Sequence, residues 1–106
     1  MKNEKRLKLV ITIVNTEKTE KVIQALREAG VHGWSIARGR GTSLESYKEL
    51  WGIRIEPEME IIFTIVAGDN AQKVMDAAVV AGELDKPGNG LSFIVDVENA
   101  TGKIFG

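Results

Sequence analysis

The chain has 106 residues, the size of one ordinary domain, so we expect residues 1–106 to form a single functional unit. Hydrophobic residues make up 43% and charged residues 27%, a composition typical of a globular protein rather than a disordered one. Fourteen Lys and Arg against fifteen Asp and Glu give a net charge of −1, which argues against non-specific binding to nucleic acid or anionic membranes.

The residue types that are rare in the chain exclude several kinds of site. There is no cysteine, which excludes disulfides and thiolate chemistry, and with His32 as the single histidine one chain cannot hold a metal between two histidines. The longest uncharged apolar stretch, 61–68, is far shorter than the roughly 20 residues of a membrane-spanning helix. The charged start MKNEKR leads into no signal-peptide core. We therefore expect a cytoplasmic protein that does not insert into a membrane.

The first part of the chain predicts a strand, a helix and a second strand. Residues 7–14 (LKLVITIV) are rich in β-branched side chains and too short for a free-standing helix, which indicates a strand. Asn15 and Thr16 can cap a helix whose apolar residues recur every three or four positions and which ends at Gly30. Residues 33–40 (GWSIARGR) alternate weakly and predict the second strand.

The middle of the chain predicts a long loop, a third strand and a second helix. Residues 42–56 show no sustained period, and a loop of that length in so small a domain is usually functional. Residues 58–67 (EMEIIFTIVA) predict the third strand. Asp69 or Asn70 can cap an amphipathic helix that ends near Gly82.

A turn over 84–90 (LDKPGNG) and a fourth strand over 91–97 (LSFIVDV) complete the order βαββαβ. This order predicts a ferredoxin-like α+β fold, in which two helices lie on one face of a four-stranded antiparallel sheet. Alternation in the first strand places Val10 and Val14 on one face and Leu9, Ile11 and Ile13 on the opposite one, so both faces of the sheet are apolar. A bare apolar face favours a covering second chain, so we predict a homo-oligomer.

Two glycine-containing basic clusters are candidate anion sites. In residues 38–41 (RGRG) and 86–90 (KPGNG), backbone N–H groups could approach a ligand beside Arg or Lys. Each cluster also has a purely structural interpretation, the first as a strand end that needs positive φ and the second as a tight turn. Neighbouring subunits could bring the two clusters together around one anion.

The two tryptophans and three closely spaced glutamates can each be interpreted in more than one way. Trp34, early in the second strand, belongs to the core or to an interface, and Trp51 either anchors the long loop or contacts a partner. Glu56, Glu58 and Glu60 lie at alternate positions, and we interpret them as a solvated strand face rather than a cation site.

Five segments, in order and at matching spacings, resemble motifs of the P-II signal transduction proteins. The segments are 29–33 (AGVHG), 38–41 (RGRG), 49–52 (ELWG), 57–61 (PEMEI) and 86–90 (KPGNG). The resemblance covers nearly the whole chain. It implies a trimeric ferredoxin-like regulator that binds an adenine nucleotide between subunits and contacts a protein target through a long flexible loop.

The resemblance also implies roles for particular residues. The nucleotide would be bound at the base of the loop and at the later turn, by Gly39, Arg40, Gly41, Thr42, Lys86, Gly88 and Gly90. The target would be contacted by loop residues Tyr47, Leu50 and Trp51. The implied ligand is ADP, AMP or ATP, with no required cofactor and no metal ligand assigned.

Several positions depart from the family pattern by losing positive charge. Thr42 and Ser43 stand in place of Arg-Gln, Glu58 and Glu60 in place of two lysines, and Leu91 in place of another lysine. Each charge-assisted phosphate contact is normally worth roughly 1.5 to 3 kcal/mol, so weaker ATP binding and a less charged ligand are expected. Sensing of 2-oxoglutarate is not expected either.

We therefore predict a non-enzymatic regulator of nitrogen or related metabolism, whose ligand orders or releases the loop and so controls a transporter or metabolic enzyme. The alternative is a small oligomeric enzyme acting on an anionic metabolite, with Arg40, Glu58 and His32 as candidate groups. RNA binding through an open sheet is set aside, because the strands carry aliphatic residues where aromatic ones would be needed.

Overall fold

A computed structural model of the protein describes residues 6–41, 48–50, 53–55 and 57–103. Within these residues there are six strands and two helices, and each helix follows a short 3₁₀ turn. In chain order the elements are β1 (Leu7–Asn15), a 3₁₀ turn (Thr16–Lys18), α1 (Thr19–Glu28), β2 (Ser35–Arg40), β3 (Lys48–Leu50), β4 (Ile53–Ile55), β5 (Glu58–Ala67), a second 3₁₀ turn (Gly68–Asn70), α2 (Ala71–Gly82) and β6 (Gly90–Val97).

The main sheet confirms the ferredoxin-like α+β prediction. Its four strands lie in the order β2-β5-β1-β6, and every neighbouring pair is antiparallel. Val10 and Val14 of β1 and Ile62 of β5 share one face of the sheet, where they are buried with residues of both helices. Both helices therefore pack on the same side of the sheet.

The helix faces that enter this core follow the spacing of the sequence. In α1 the buried apolar residues are Val22, Ile23 and Leu26, and in α2 the buried residues include Val74 and Ala78. Because residues three and four apart lie on one side of a helix, each helix presents a single apolar stripe to the sheet. The predicted amphipathic pattern of both helices is confirmed.

The predicted side-chain caps are wrong. Neither Asn15 nor Asn70 makes a capping hydrogen bond through its side chain at the start of the element that it precedes. In each case the 3₁₀ turn supplies a backbone acceptor to the first α-helical residue, since Thr19 N–H donates to the Thr16 carbonyl and Ala71 N–H to that of Gly68. A backbone acceptor makes a side-chain cap at that position unnecessary.

Asn70 has a different role. Its Nδ2 donates to the Ala29 carbonyl over 3.2 Å. Ala29 follows the last residue of α1, so this bond ties the end of one helix to the beginning of the other. The side chain thereby satisfies a carbonyl that the end of α1 leaves without a partner inside the helix.

We predicted a loop over the whole of 42–56, but the structure has two short strands within this region. β3 pairs with β4 in a separate two-stranded antiparallel sheet, with Lys48 opposite Ile55 and Leu50 opposite Ile53. Three residues per strand are too few to establish the alternation by which a strand is recognised in a sequence. Thr42, Tyr47 and Trp51 lie outside the described residues.

The second face of the main sheet is apolar, as predicted, and in the described part of the chain no helix covers it. Ile11 lies at its centre, with Phe63 and Phe93 as register partners on the two neighbouring strands. On β6, Leu91, Phe93 and Val95 are 52%, 38% and 41% exposed. This set of residues is called the open face below.

Candidate functional site

The two predicted anion clusters lie at one end of the main sheet but on opposite edges. Gly39 on β2 is the register partner of Met59, and Gly90 on β6 is that of Val14. Since β5 and β1 lie between those edges, the clusters are separated by three strand spacings, or about 14 Å. An anion the size of phosphate cannot contact the backbone of both clusters of the same chain.

In the first cluster, the backbone conformation does not require glycine at either position. Neither Gly39 nor Gly41 has positive φ, so the interpretation as a strained strand end is wrong. A Cβ at Gly39 would meet the Ile61 side chain at an ordinary 3.8 Å, and one at Gly41 would meet nothing within 4 Å. The chain leaves open space at Gly41, as the close approach of another molecule would require.

The arginines of this cluster have carboxylates beside them. Arg38 Nε lies 3.5 Å from Glu60 Oε2, and Arg40 is the register partner of Glu58. The Arg38 side chain is 72% exposed, which screens its attraction to Glu60 and leaves it able to turn toward a ligand.

Glu60 is not part of a solvated strand face. Its side chain is 14% exposed, and its Oε1 accepts a hydrogen bond of 2.6 Å from the Thr19 hydroxyl at the start of α1. The interpretation failed because Glu60 lies on the helix-covered face with Ile62, and sequence alternation does not show where a helix begins above it. Glu58 is exposed as expected, and Glu56 lies outside the described residues.

The second cluster is confirmed as a tight turn. Asn89 N–H donates to the Lys86 carbonyl over 3.2 Å. Gly88 and Gly90 have φ values of 82° and 126°, which favour glycine. At Gly90 a Cβ would lie 1.9 Å from the Ile13 carbonyl oxygen, so no side chain fits there. These two glycines therefore have a structural role, whatever they bind.

Lys86, the candidate phosphate contact of this turn, is held by Glu83. The Glu83 carboxylate accepts hydrogen bonds from Lys86 and from Lys18, which comes from the 3₁₀ turn before α1. The bond from Lys18, followed by that from Lys86, lowers the pKa of Glu83 from 4.5 to about 2. The same carboxylate raises the pKa of Lys86.

A cavity of about 400 Å³ lies at the opposite end of the main sheet, near the beginning of β2. It has mainly apolar walls, with two aromatic side chains and several polar ones. The lining residues are Leu9, Gly30, Val31, His32, Gly33, Trp34, Ser35, Phe63, Ile65, Val66, Ala67 and Asn70. Sequence reasoning noted the segment 29–33 and Trp34 but gave no binding role to them, because the other walls come from distant parts of the chain.

The groups of the enzymatic alternative are not brought together within one chain. His32 lies in the cavity before β2, whereas Arg40 is the last residue of β2 and faces Glu58. A six-residue strand is about 20 Å long, so His32 and Arg40 are at opposite ends of the sheet.

Two further properties concern the described residues alone. No group of three His, Cys, Asp or Glu side chains among them is placed to hold a metal ion. Neither of their helices is long and apolar enough to cross a membrane.

The architecture defines a ferredoxin-like α+β protein, and comparisons with known proteins identify its family. The family model of nitrogen regulatory protein P-II matches residues 7–103. Nitrogen regulatory protein P-II 2 of Methanothermobacter thermautotrophicus is 32% identical over 98 residues, which cover 87% of this chain and 84% of that protein. The chain therefore belongs to the P-II family and is a regulatory protein, which confirms the resemblance carried by the five segments.

Solved structures show the same fold. The Arabidopsis thaliana PII structure with bound citrate has a TM-score of 0.70 at 20% identity, covering 87% of this chain and 78% of that one. The B. subtilis GlnK–ATP complex has a TM-score of 0.70 at 19% identity, covering 90% and 86%. A Bacillus cereus protein related to NIF3 also has a TM-score of 0.70, at 24% identity, but the match spans 26% of that chain.

Proposed function

We propose that residues 1–106 act as one domain of a cytoplasmic homotrimer that binds an adenine nucleotide or a similar small anion between subunits and regulates a protein target. The observation that carries the proposal is that the candidate site is incomplete in one chain. Its two basic clusters lie on opposite sheet edges, and the mainly apolar cavity that contains Trp34 lies at the other end of the sheet.

The open face supports the oligomer. Phe93 and Leu91 are large apolar side chains left partly exposed on an uncovered sheet, beside Ile11 and Phe63. A contiguous apolar surface of this kind marks an interaction site, and a symmetric assembly would bury it. The assembly would also place the edge of one main sheet beside that of the next subunit.

The cavity and the clusters suit different parts of a nucleotide. Trp34 and Phe63 line a mainly apolar space in which a planar base can be stacked, with Ser35 available for a hydrogen bond. Gly41 leaves room for phosphate groups beside Gly39, and Arg40 and Lys86 carry positive charge. We infer that one subunit supplies the cavity for the base. The phosphates would lie where two different subunits bring together the first cluster, with Thr42, and the second cluster, with Gly88 and Gly90. Two proteins of the same fold, the B. subtilis GlnK–ATP complex and the citrate-bound Arabidopsis protein, bind a nucleotide and a small anion, which supports this choice of ligand class.

The region 42–56 is the proposed regulatory element. The short β3–β4 pair lies inside it and belongs to a sheet separate from the main one, so it can move without breaking the domain. Ligand binding at the base of this region would favour one arrangement of it over another. Tyr47, Leu50 and Trp51 would then contact a transporter or metabolic enzyme in nitrogen or related metabolism.

Titration calorimetry combined with light scattering tests the proposal. We expect a trimer that binds ATP, ADP or AMP saturably, with about one ligand per chain. Adenosine and inorganic phosphate, titrated separately, report on the base and phosphate contacts. A stable monomer that binds nucleotide tightly would contradict the subunit-boundary site, and a trimer that binds none of the nucleotides would contradict the ligand class.

A further inference from the structure

Glu83 adopts a backbone conformation that usually selects glycine. Its φ is 52°, and within the described part of the chain it is the one residue other than glycine with positive φ. It ends α2, where Leu84 N–H donates to the Val79 carbonyl over 3.0 Å and Glu83 N–H to that of Val80 over 3.2 Å. Glycine is the common residue at such a helix end because it has no Cβ.

The side chain of Glu83 accounts for its presence there. Its carboxylate bonds to Lys18 and Lys86, whose side chains are 19% and 64% exposed. Its backbone carbonyl accepts from Asn89 Nδ2 over 2.9 Å and from Lys86 N–H over 3.1 Å. One residue thus binds both cations near the turn and ties the turn itself to the end of α2.

A phosphate group that used Lys86 would meet this carboxylate. Lys86 Nζ and Glu83 Oε1 are already in hydrogen-bond contact, so the ligand must share the ammonium group or displace the carboxylate. Repulsion between the carboxylate and the ligand rises with the ligand's negative charge. The first cluster also has carboxylates next to its basic residues, since Arg38 lies beside Glu60 and Arg40 faces Glu58.

We propose that Glu83 is a specificity-determining residue, an internal counter-anion that competes with ligand phosphates for Lys86 and disfavours the more highly charged nucleotides. The inference rests on the proposed function, because it concerns the same anion site. It deepens that function by assigning a residue of this chain to the choice among AMP, ADP and ATP. Removing the negative charge of Glu83 should therefore raise the affinity for ATP most and leave the affinity for adenosine unchanged.

The test compares the full-length chain with Glu83→Gln and with Glu83→Gly, which removes the carboxylate and also relieves the positive φ. Glu28→Gln is the matched control, because Glu28 is an exposed carboxylate at the end of α1 whose hydrogen bond comes from Gln24. Each protein is titrated with adenosine, AMP, ADP, ATP and inorganic tripolyphosphate at low ionic strength, where exposed charges act most strongly.

Both Glu83 variants should bind ATP and tripolyphosphate about fivefold more tightly than the wild type, the upper range for one exposed ion pair. The gain should be smaller for AMP and absent for adenosine and for Glu28→Gln. Equal affinities in the wild type and both Glu83 variants would overturn the inference, and so would a gain that does not depend on ligand charge.

The proposed function is judged separately on the wild type. Nucleotide binding by the wild type with unchanged Glu83 variants overturns the inference alone. Tripolyphosphate binding gained by the Glu83 variants, with no nucleotide bound by the wild type, supports the inference and contradicts the proposed ligand class. No binding by any of the proteins overturns both.

Discussion

At the scale of single residues, the glycines of the two clusters differ in what they require. Gly41 occupies an ordinary conformation with open space around it, whereas the backbone of Gly90 closes against a neighbouring strand. The first kind of glycine leaves room for another molecule, and the second is needed for folding. A glycine in a suspected binding turn therefore tells little about binding until its φ and its neighbours are known.

Gly90→Ala should destabilise the protein strongly. The new Cβ would lie 1.9 Å from the Ile13 carbonyl oxygen, so β6 must move away from β1 at the start of their pairing. We expect a loss of roughly 3 kcal/mol or more in the free energy of unfolding, measured by urea denaturation. Gly102→Ala is the control, since Gly102 also has positive φ but has nothing within 4 Å of its Cβ position. Equal losses in the two variants would show that steric contact is not the cause.

The ion pairs of Glu83 should make stability depend on pH in the acid range. The pKa of Glu83 is lowered from 4.5 to about 2 by Lys18 and Lys86, so the ionised group stabilises the folded state above about pH 4.5. This contribution is lost as the pH falls from 4.5 toward 2. Tm should therefore be higher for the wild type than for Glu83→Gln at pH 7, and the difference should shrink by pH 2.5. A difference that stays constant across this range would contradict the assignment.

At the scale of elements, the predictable parts are those with a sustained period. β1 and β5 are long enough for alternation to divide their apolar residues between two faces of the sheet, and α1 repeats its apolar residues every three or four positions. Periodicity arises from burial on one side, so it identifies elements that pack on the core. β3 and β4 are too short to show it, and they pair in a sheet of their own.

The candidate site was predictable only where it is local in sequence. The 86–90 turn is one continuous segment whose turn residues indicate its conformation. The cavity joins Trp34 to Phe63 and Asn70, which lie far apart in the chain, so no local pattern could predict it. The contacts of Glu83 with Lys18 and of Glu60 with Thr19 are likewise long-range. Sequence patterns therefore could not show that these two carboxylates lie beside the basic residues of the site.

Deleting residues 44–54 should leave the domain and its assembly intact while abolishing target binding. The deletion removes β3 and part of β4, whereas β2 and β5 keep their pairing from Ser35–Phe63 to Arg40–Glu58. We expect the same oligomeric state by light scattering and a change in unfolding free energy within about 0.5 kcal/mol. A shortened chain that still binds a target recognised by the wild type would contradict the proposed role of this region, and loss of the oligomer would show that it supports assembly.

At the scale of the whole molecule, the open face connects folding with function. Phe93→Asp places a carboxylate on the open face, on the edge strand β6 and opposite Ile11, where burial in an interface would leave the charge without a partner. The variant should be monomeric by light scattering, because a buried unpaired charge costs more than the lost apolar contact. Val80→Asp is the control, since Val80 is 78% exposed on α2 and lies on the other side of the sheet.

The same pair of variants separates assembly from ligand binding. If the site is assembled from more than one subunit, Phe93→Asp should lose nucleotide binding together with assembly, although Phe93 does not line the cavity and belongs to neither basic cluster. Val80→Asp should keep both properties. A monomeric Phe93→Asp protein with wild-type affinity would mean that one chain holds the complete site, and the 14 Å between the two clusters would then have to be spanned by the ligand itself.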